Sequence, residues 1–97
     1  GDKVVFPNGG IDPWKSLGVP VGNPEKNIDA FIIEGAAHCS DMYPASANDK
    51  TSLTMARARI LKNLDAWIQD ALKPTGDATG LGLLSTCVFV LLSCLYF

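Results

Sequence analysis

The sequence predicts an α/β fold in which two parallel strands and a closing helix form the C-terminal part of a larger sheet. Three observations carry that expectation. Two short apolar runs rich in β-branched residues stand in the first third of the chain, each ended by glycine-containing turn residues. A long stretch of helical periodicity follows them. Two strands cannot complete a sheet alone, so their neighbours are expected elsewhere in a longer polypeptide. Gly1 in the place of an initiator methionine, and no targeting segment after it, fit that expectation.

The first strand is expected at KVVF, residues 3–6, halted by Pro7, Asn8, Gly9 and Gly10. Asp12 then falls in the loop beyond a strand's carboxyl end. Prolines and glycines from 18 to 26 favour an irregular connection. The second strand is expected at IDAFIIE, residues 28–34, ended by Gly35, Ala36 and Ala37. His38, the chain's one histidine, thereby takes the same topological position as Asp12. From Thr51 to Leu72 the spacing predicts an amphipathic helix, with Asp49, Thr51 or Ser52 as its cap and Pro74 just past its end. Leu53, Ile60, Leu64, Trp67, Ile68 and Ala71 form its packing stripe. Arg57 falls within that stripe. It reads either as a buried guanidinium held by a carboxylate, with Asp41 the nearest upstream candidate, or as a stem on apolar surface with its head in water.

Residues 73–80, KPTGDATG, read as a linker, and residues 81–97 as a hydrophobic tail in which 13 of 17 residues are apolar and none is charged. A helix of that length would span roughly 26 Å, short for a bilayer core. No lysine or arginine follows it, which disfavours a spanning segment. A GPI-attachment signal fits better, with Gly76, Asp77 and Ala78 as small residues, 79–86 as spacer and 87–97 as the removable stretch. A buried core segment is the remaining alternative. The expected organisation is therefore an α/β segment at 1–72, a linker at 73–80 and a GPI signal or membrane anchor at 81–97.

Formal net charge is −2 with both signs interspersed, which leaves no footprint for nucleic acid. Three cysteines without C-x-x-C spacing, beside a single histidine, do not make a zinc site, and no cofactor is expected. Cys39 is expected either to pair with an upstream cysteine in an oxidising compartment or to be a buried free thiol. No N-x-S/T acceptor occurs.

An aspartate and a histidine in loops after consecutive strands suggest the last two members of a nucleophile, acid, histidine triad in α/β-hydrolase order. The chemistry asks for this pair because a carboxylate fixes the imidazole tautomer and stabilises the imidazolium formed when the histidine takes a serine's proton. The bland alternatives are a turn aspartate before Pro13 and a structural histidine.

The segment NGGIDPW, residues 8–14, followed by IIEGAAHCSDMY, residues 32–43, resembles the serine peptidase family that contains lysosomal Pro-X carboxypeptidase, dipeptidyl peptidase II and thymus-specific serine protease. The resemblance runs from about Lys3 to Leu72 and includes ARARI at 56–60. It implies that Asp12 is the triad acid and His38 the general base. It also implies a serine exopeptidase acting on peptides with proline near the scissile bond, in the secretory pathway, lysosome or at the cell surface. A homodimer is compatible with it. Trp14 corresponds to an aromatic residue that would wall a proline pocket, with turn packing as its other reading. HCSDM at 38–42 is closer to thymus-type members than to those with His-His, which leaves carboxypeptidase versus dipeptidyl peptidase specificity open.

No nucleophile is recognisable. The chain has no G-x-S-x-G, and Ser16, Ser40, Ser46, Ser52, Ser85 and Ser93 lack a strand-turn-helix setting. The nucleophile and oxyanion donors are expected upstream, and the chain alone is expected to be inactive. Two other classes share these features: a membrane-tethered pseudoenzyme that binds without catalysis, and another α/β-hydrolase such as an esterase.

Overall fold

The computed structural model describes residues 1–74 and 89–90. Strand β1 (Val4–Gly9) and strand β2 (Ile28–Ile33) pair in parallel, with Val4 opposite Ile28 and Gly9 opposite Ile33. A two-residue strand, β3 (Phe89–Val90), lies parallel along the other edge of β1, against Val4 and Val5. Helix α1 (Thr51–Leu72) follows them. The tail expected at 81–97 lies, apart from β3, outside the described residues, as does the linker beyond Pro74. Among the described residues no helix is long and apolar enough to cross a membrane.

β1 runs three residues further than the sequence suggests, through Pro7 and Asn8 to Gly9. Proline has no N–H to give a ladder but accepts extended backbone. Pro7, opposite Phe31, continues the parallel pairing with β2 without a break from Val4 to Gly9. Residues 10–27 then cross to β2 without a helix, through 3-10 turns at Lys15–Leu17 and Pro24–Lys26. Asn23 caps the second turn by accepting the Glu25 N–H, and Asn27, left-handed at φ 55°, turns the chain into β2.

Side chains alternate across β2. Asp29, Phe31 and Ile33 meet α1: Arg59 and Asn63 bond Asp29, the Arg59 guanidinium stands 4.3 Å from the Phe31 ring centre, and Ile33 joins Ala36 and Ala56 in the core with Phe31 and Leu53 packed around them. Ile32, on the opposite face, is 62% exposed. Register puts Val5 and Pro7 on the α1 side beside Asp29 and Phe31, and both are fully buried.

The helix bounds agree with the periodicity, but two details differ. Ile68 of the expected stripe is 48% exposed, whereas Ala56 and Trp67 are the buried positions. A small side chain at 56 lets the helix axis approach Ile33. No side chain caps the first turn; Lys50 occupies the cap position, and its Nζ donates to the Gly35 carbonyl. Asp49 does not cap because its carboxylate accepts from the Ser46 N–H and from Arg57, a charge-assisted bond stronger than a neutral cap.

Candidate active site

The two loops that leave the carboxyl ends of β1 and β2 are fastened to one another. Gly10 N–H donates to the Ile33 carbonyl (2.9 Å) and Ile11 N–H to the Ala36 carbonyl (3.1 Å). Glycine at position 9 permits this approach, since a Cβ there would sit 2.5 Å from the Ala37 oxygen and 2.8 Å from that of Ala36. Gly35, at φ 67°, bends the chain out of β2 so that 36–38 pass alongside.

Asp12 and His38 meet across this seam. The Asp12 Oδ2 lies 2.6 Å from His38 Nδ1, and the aspartate is only 3% exposed. Its other oxygen accepts the Trp14 N–H at 2.9 Å, an Asx-turn bond that holds the carboxylate in one orientation. Burial is the largest influence on this carboxyl and pushes its pKa up. The bond from His38, the Trp14 N–H and the imidazole charge together outweigh it, leaving the pKa below the usual value of 3.8. An ionised carboxylate only accepts, so the proton between them belongs to Nδ1.

Trp14 is 48% exposed and presents its ring edge-on to the imidazole, with centroids 5.1 Å apart. Thus the three residues singled out from sequence form one contiguous group. A second carboxylate, weighed from sequence only as a partner for Arg57, lies within electrostatic reach of the ring. Asp41 is raised by desolvation, a shift only partly offset by its own N–H and by the charges of Arg57 and His38.

Two residues of the surrounding scaffold were less legible. Asn8, buried at the end of β1, gives its amide N–H groups to the carbonyls of Phe6, Val19 and Phe31, tying the crossover loop to both strands. In sequence it reads only as a turn residue before two glycines. Arg57 is held by a carboxylate as anticipated, but the carboxylate is that of Asp49. Asp41 contributes its backbone carbonyl instead. Local sequence distance misleads here because the loop at 40–49 folds back over the first turns of α1.

The serine hydroxyls with described bonds are engaged by backbone groups. Ser40 Oγ donates to the Ala37 carbonyl and Ser52 Oγ to that of Glu34, while Ser46 Oγ accepts the Asn48 N–H.

The family model for serine carboxypeptidase S28 matches residues 1–60. A Caenorhabditis elegans relative assigned by name to the serine proteases is 48% identical over 67 residues, covering 69% of this chain and 13% of its own length. Mouse thymus-specific serine protease is 38% identical over 73 residues, 73% of this chain and 14% of the relative. Human lysosomal Pro-X carboxypeptidase is 34% identical over 68 residues, 70% of this chain and 14% of the relative. The chain therefore spans about one seventh of the length of the curated relatives it matches. No solved structure matches it significantly. Because the matched stretch contains both strands, both loops and the start of α1, the chain belongs to the S28 serine carboxypeptidase family.

Proposed function

We propose that this chain supplies the acid and the base of a serine-peptidase triad whose nucleophile is carried by a further segment of polypeptide. The observation that carries the proposal is the 2.6 Å contact between a buried, ionised Asp12 and Nδ1 of His38. With Nδ1–H committed to the carboxylate, proton transfer falls to Nε2. It takes the serine's proton as the oxygen attacks the peptide carbonyl, and returns that proton to the leaving amine as the acyl-enzyme forms. Asp12 orients the ring and stabilises its cation. The lowered pKa of Asp12 keeps that carboxylate charged in an acidic compartment, which suits the lysosomal location in the name of the human relative.

Proline near the scissile bond is the substrate preference we assign, with Trp14 as the apolar wall. Its ring is half exposed beside the imidazole and offers a flat face to a pyrrolidine. In this reading residues 1–72 are the C-terminal segment of the peptidase domain and 73–80 a linker. Residues 81–97 are a GPI signal, and Cys39, whose bonding partner lies outside the described residues, is a disulfide cysteine.

The test uses the longer polypeptide that carries this chain with its nucleophile-bearing segment. Asp12→Asn and His38→Ala should each lower hydrolysis of a Pro-X peptide by roughly 10³- to 10⁴-fold. A fluorophosphonate probe should label the longer polypeptide and not the 97-residue chain. Wild-type turnover in either variant, or labelling of this chain by itself, would remove the triad assignment.

A further inference from the structure

We infer that Arg57 is the positioning residue of the histidine loop, setting the height of His38 against Asp12 from a helix that makes no contact with substrate. The inference rests on the triad reading above and extends it to a residue outside the triad. The guanidinium reaches from α1 into the loop at 40–49 and makes four bonds there. Its Nη2 donates to the carbonyls of Ser40 (3.1 Å) and Tyr43 (2.8 Å), its Nε to the carbonyl of Asp41 (3.3 Å), and its Nη1 to the carboxylate of Asp49.

Three of these acceptors are backbone carbonyls of the 3-10 turn Ser40–Met42 and the residue after it, which begins two residues beyond His38. Cys39 between them is left-handed at φ 59°, a conformation costly for a side-chain residue and kept only when its surroundings impose it. Arg57 fixes the far side of that residue, beside the disulfide made by Cys39 itself. The near side is fixed by the seam to β1 through the Ala36 carbonyl. Clamped at both ends, His38 has no backbone freedom with which to leave Asp12.

Guanidinium chemistry suits the task. Five N–H donors in a planar fork meet carbonyls from several directions while the single charge is answered by Asp49. An ammonium in its place keeps the Asp49 pair but lacks the fork. The helix that carries Arg57 is itself tied to β2 through Arg59, Asn63 and Asp29, so the clamp joins the loop to the sheet that also carries Asp12.

The experiment compares Arg57→Lys with Arg59→Lys in the longer polypeptide. Arg57→Lys should lower kcat on a Pro-X peptide roughly ten- to hundredfold, the scale of an ångström-level misplacement, while KM stays within about twofold. Arg59→Lys, which keeps a cation beside Asp29 and does not touch the histidine loop, should retain kcat at a melting temperature comparable to that of Arg57→Lys. Wild-type kcat in Arg57→Lys, or a loss lying wholly in KM, overturns the positioning role. If Asp12→Asn and His38→Ala also keep activity, it is the triad reading that fails; if they lose it while Arg57→Lys does not, only the inference about Arg57 fails.

Discussion

Asp12 shows how one residue's environment decides its chemistry. Taken out of water without compensation, a carboxyl would protonate near neutral pH. Here the hydrogen bonds from His38 and from the Trp14 N–H, with the electrostatic pull of the imidazole, reverse that tendency, and the folded pKa falls below the unfolded value near 3.8. A depressed folded pKa means that the pair contributes stability above the unfolded pKa and that this contribution is lost only as pH falls through the lower folded value. The longer polypeptide should therefore show no Asp12-dependent loss of stability between neutral pH and about pH 4. Urea midpoints of wild type and Asp12→Asn, measured across that range, should run parallel and converge only in stronger acid. Convergence already at pH 5 would mean that Asp12 is not held ionised by its partners. The residue choice was legible in sequence because Asp-Pro-Trp and a single histidine limit the options; the 2.6 Å geometry was not, since it depends on two loops 26 positions apart being fastened together.

At the level of elements, β1, β2 and α1 could be read from periodicity, which is a local property, whereas β3 falls in the stretch read as a hydrophobic tail. What escaped the sequence is what long-range contacts decide. β1 continues through Pro7 because its pairing with β2 runs unbroken from Val4 to Gly9 and proline accepts extended backbone. Asp49 leaves the helix cap because Arg57 takes its carboxylate. The junction of strand ends offers a quantitative check on this scale. A Cβ at Gly9 would press on two backbone oxygens of the histidine loop, neither of which can rotate aside, whereas at Gly10 the nearest approach is 3.1 Å. Gly9 does not have a positive φ, so the penalty is one of contact and not of backbone conformation. Gly9→Ala should destabilise the longer polypeptide by about 1–3 kcal/mol and lower turnover by separating Asp12 from His38, while Gly10→Ala should cost clearly less. Equal melting temperatures for the two variants would show that the loops do not depend on this close approach.

Across the whole molecule, surface and core are out of proportion. Among the described residues the buried apolar set is Val4, Val5, Ile33, Ala36, Ala56 and Trp67 with Pro7, while Ile11, Leu17, Val21, Ile32, Met55, Leu61 and Leu72 are all more than 60% exposed. Scattered apolar residues on a surface are ordinary, but here they occur on the crossover loop, on the outer face of β2 and on the outer side of α1, so three separate faces await a neighbour. Each large aliphatic side chain left in water forgoes about 1.5–3 kcal/mol of burial, against a net stability for small domains of only about 5–15 kcal/mol. A molecule with this balance is expected to hold its seam of loops poorly by itself, and an edge strand such as β2 invites pairing with other chains. The 97-residue chain should therefore bind a hydrophobic dye, self-associate at micromolar concentration and melt over a broad range, whereas the longer polypeptide should melt cooperatively and lose the dye. Calorimetry of the two, with dye fluorescence alongside, separates the possibilities. A sharp two-state transition in the short chain would mean that its few buried residues suffice, and the exposed faces would then need an explanation other than cover by further polypeptide.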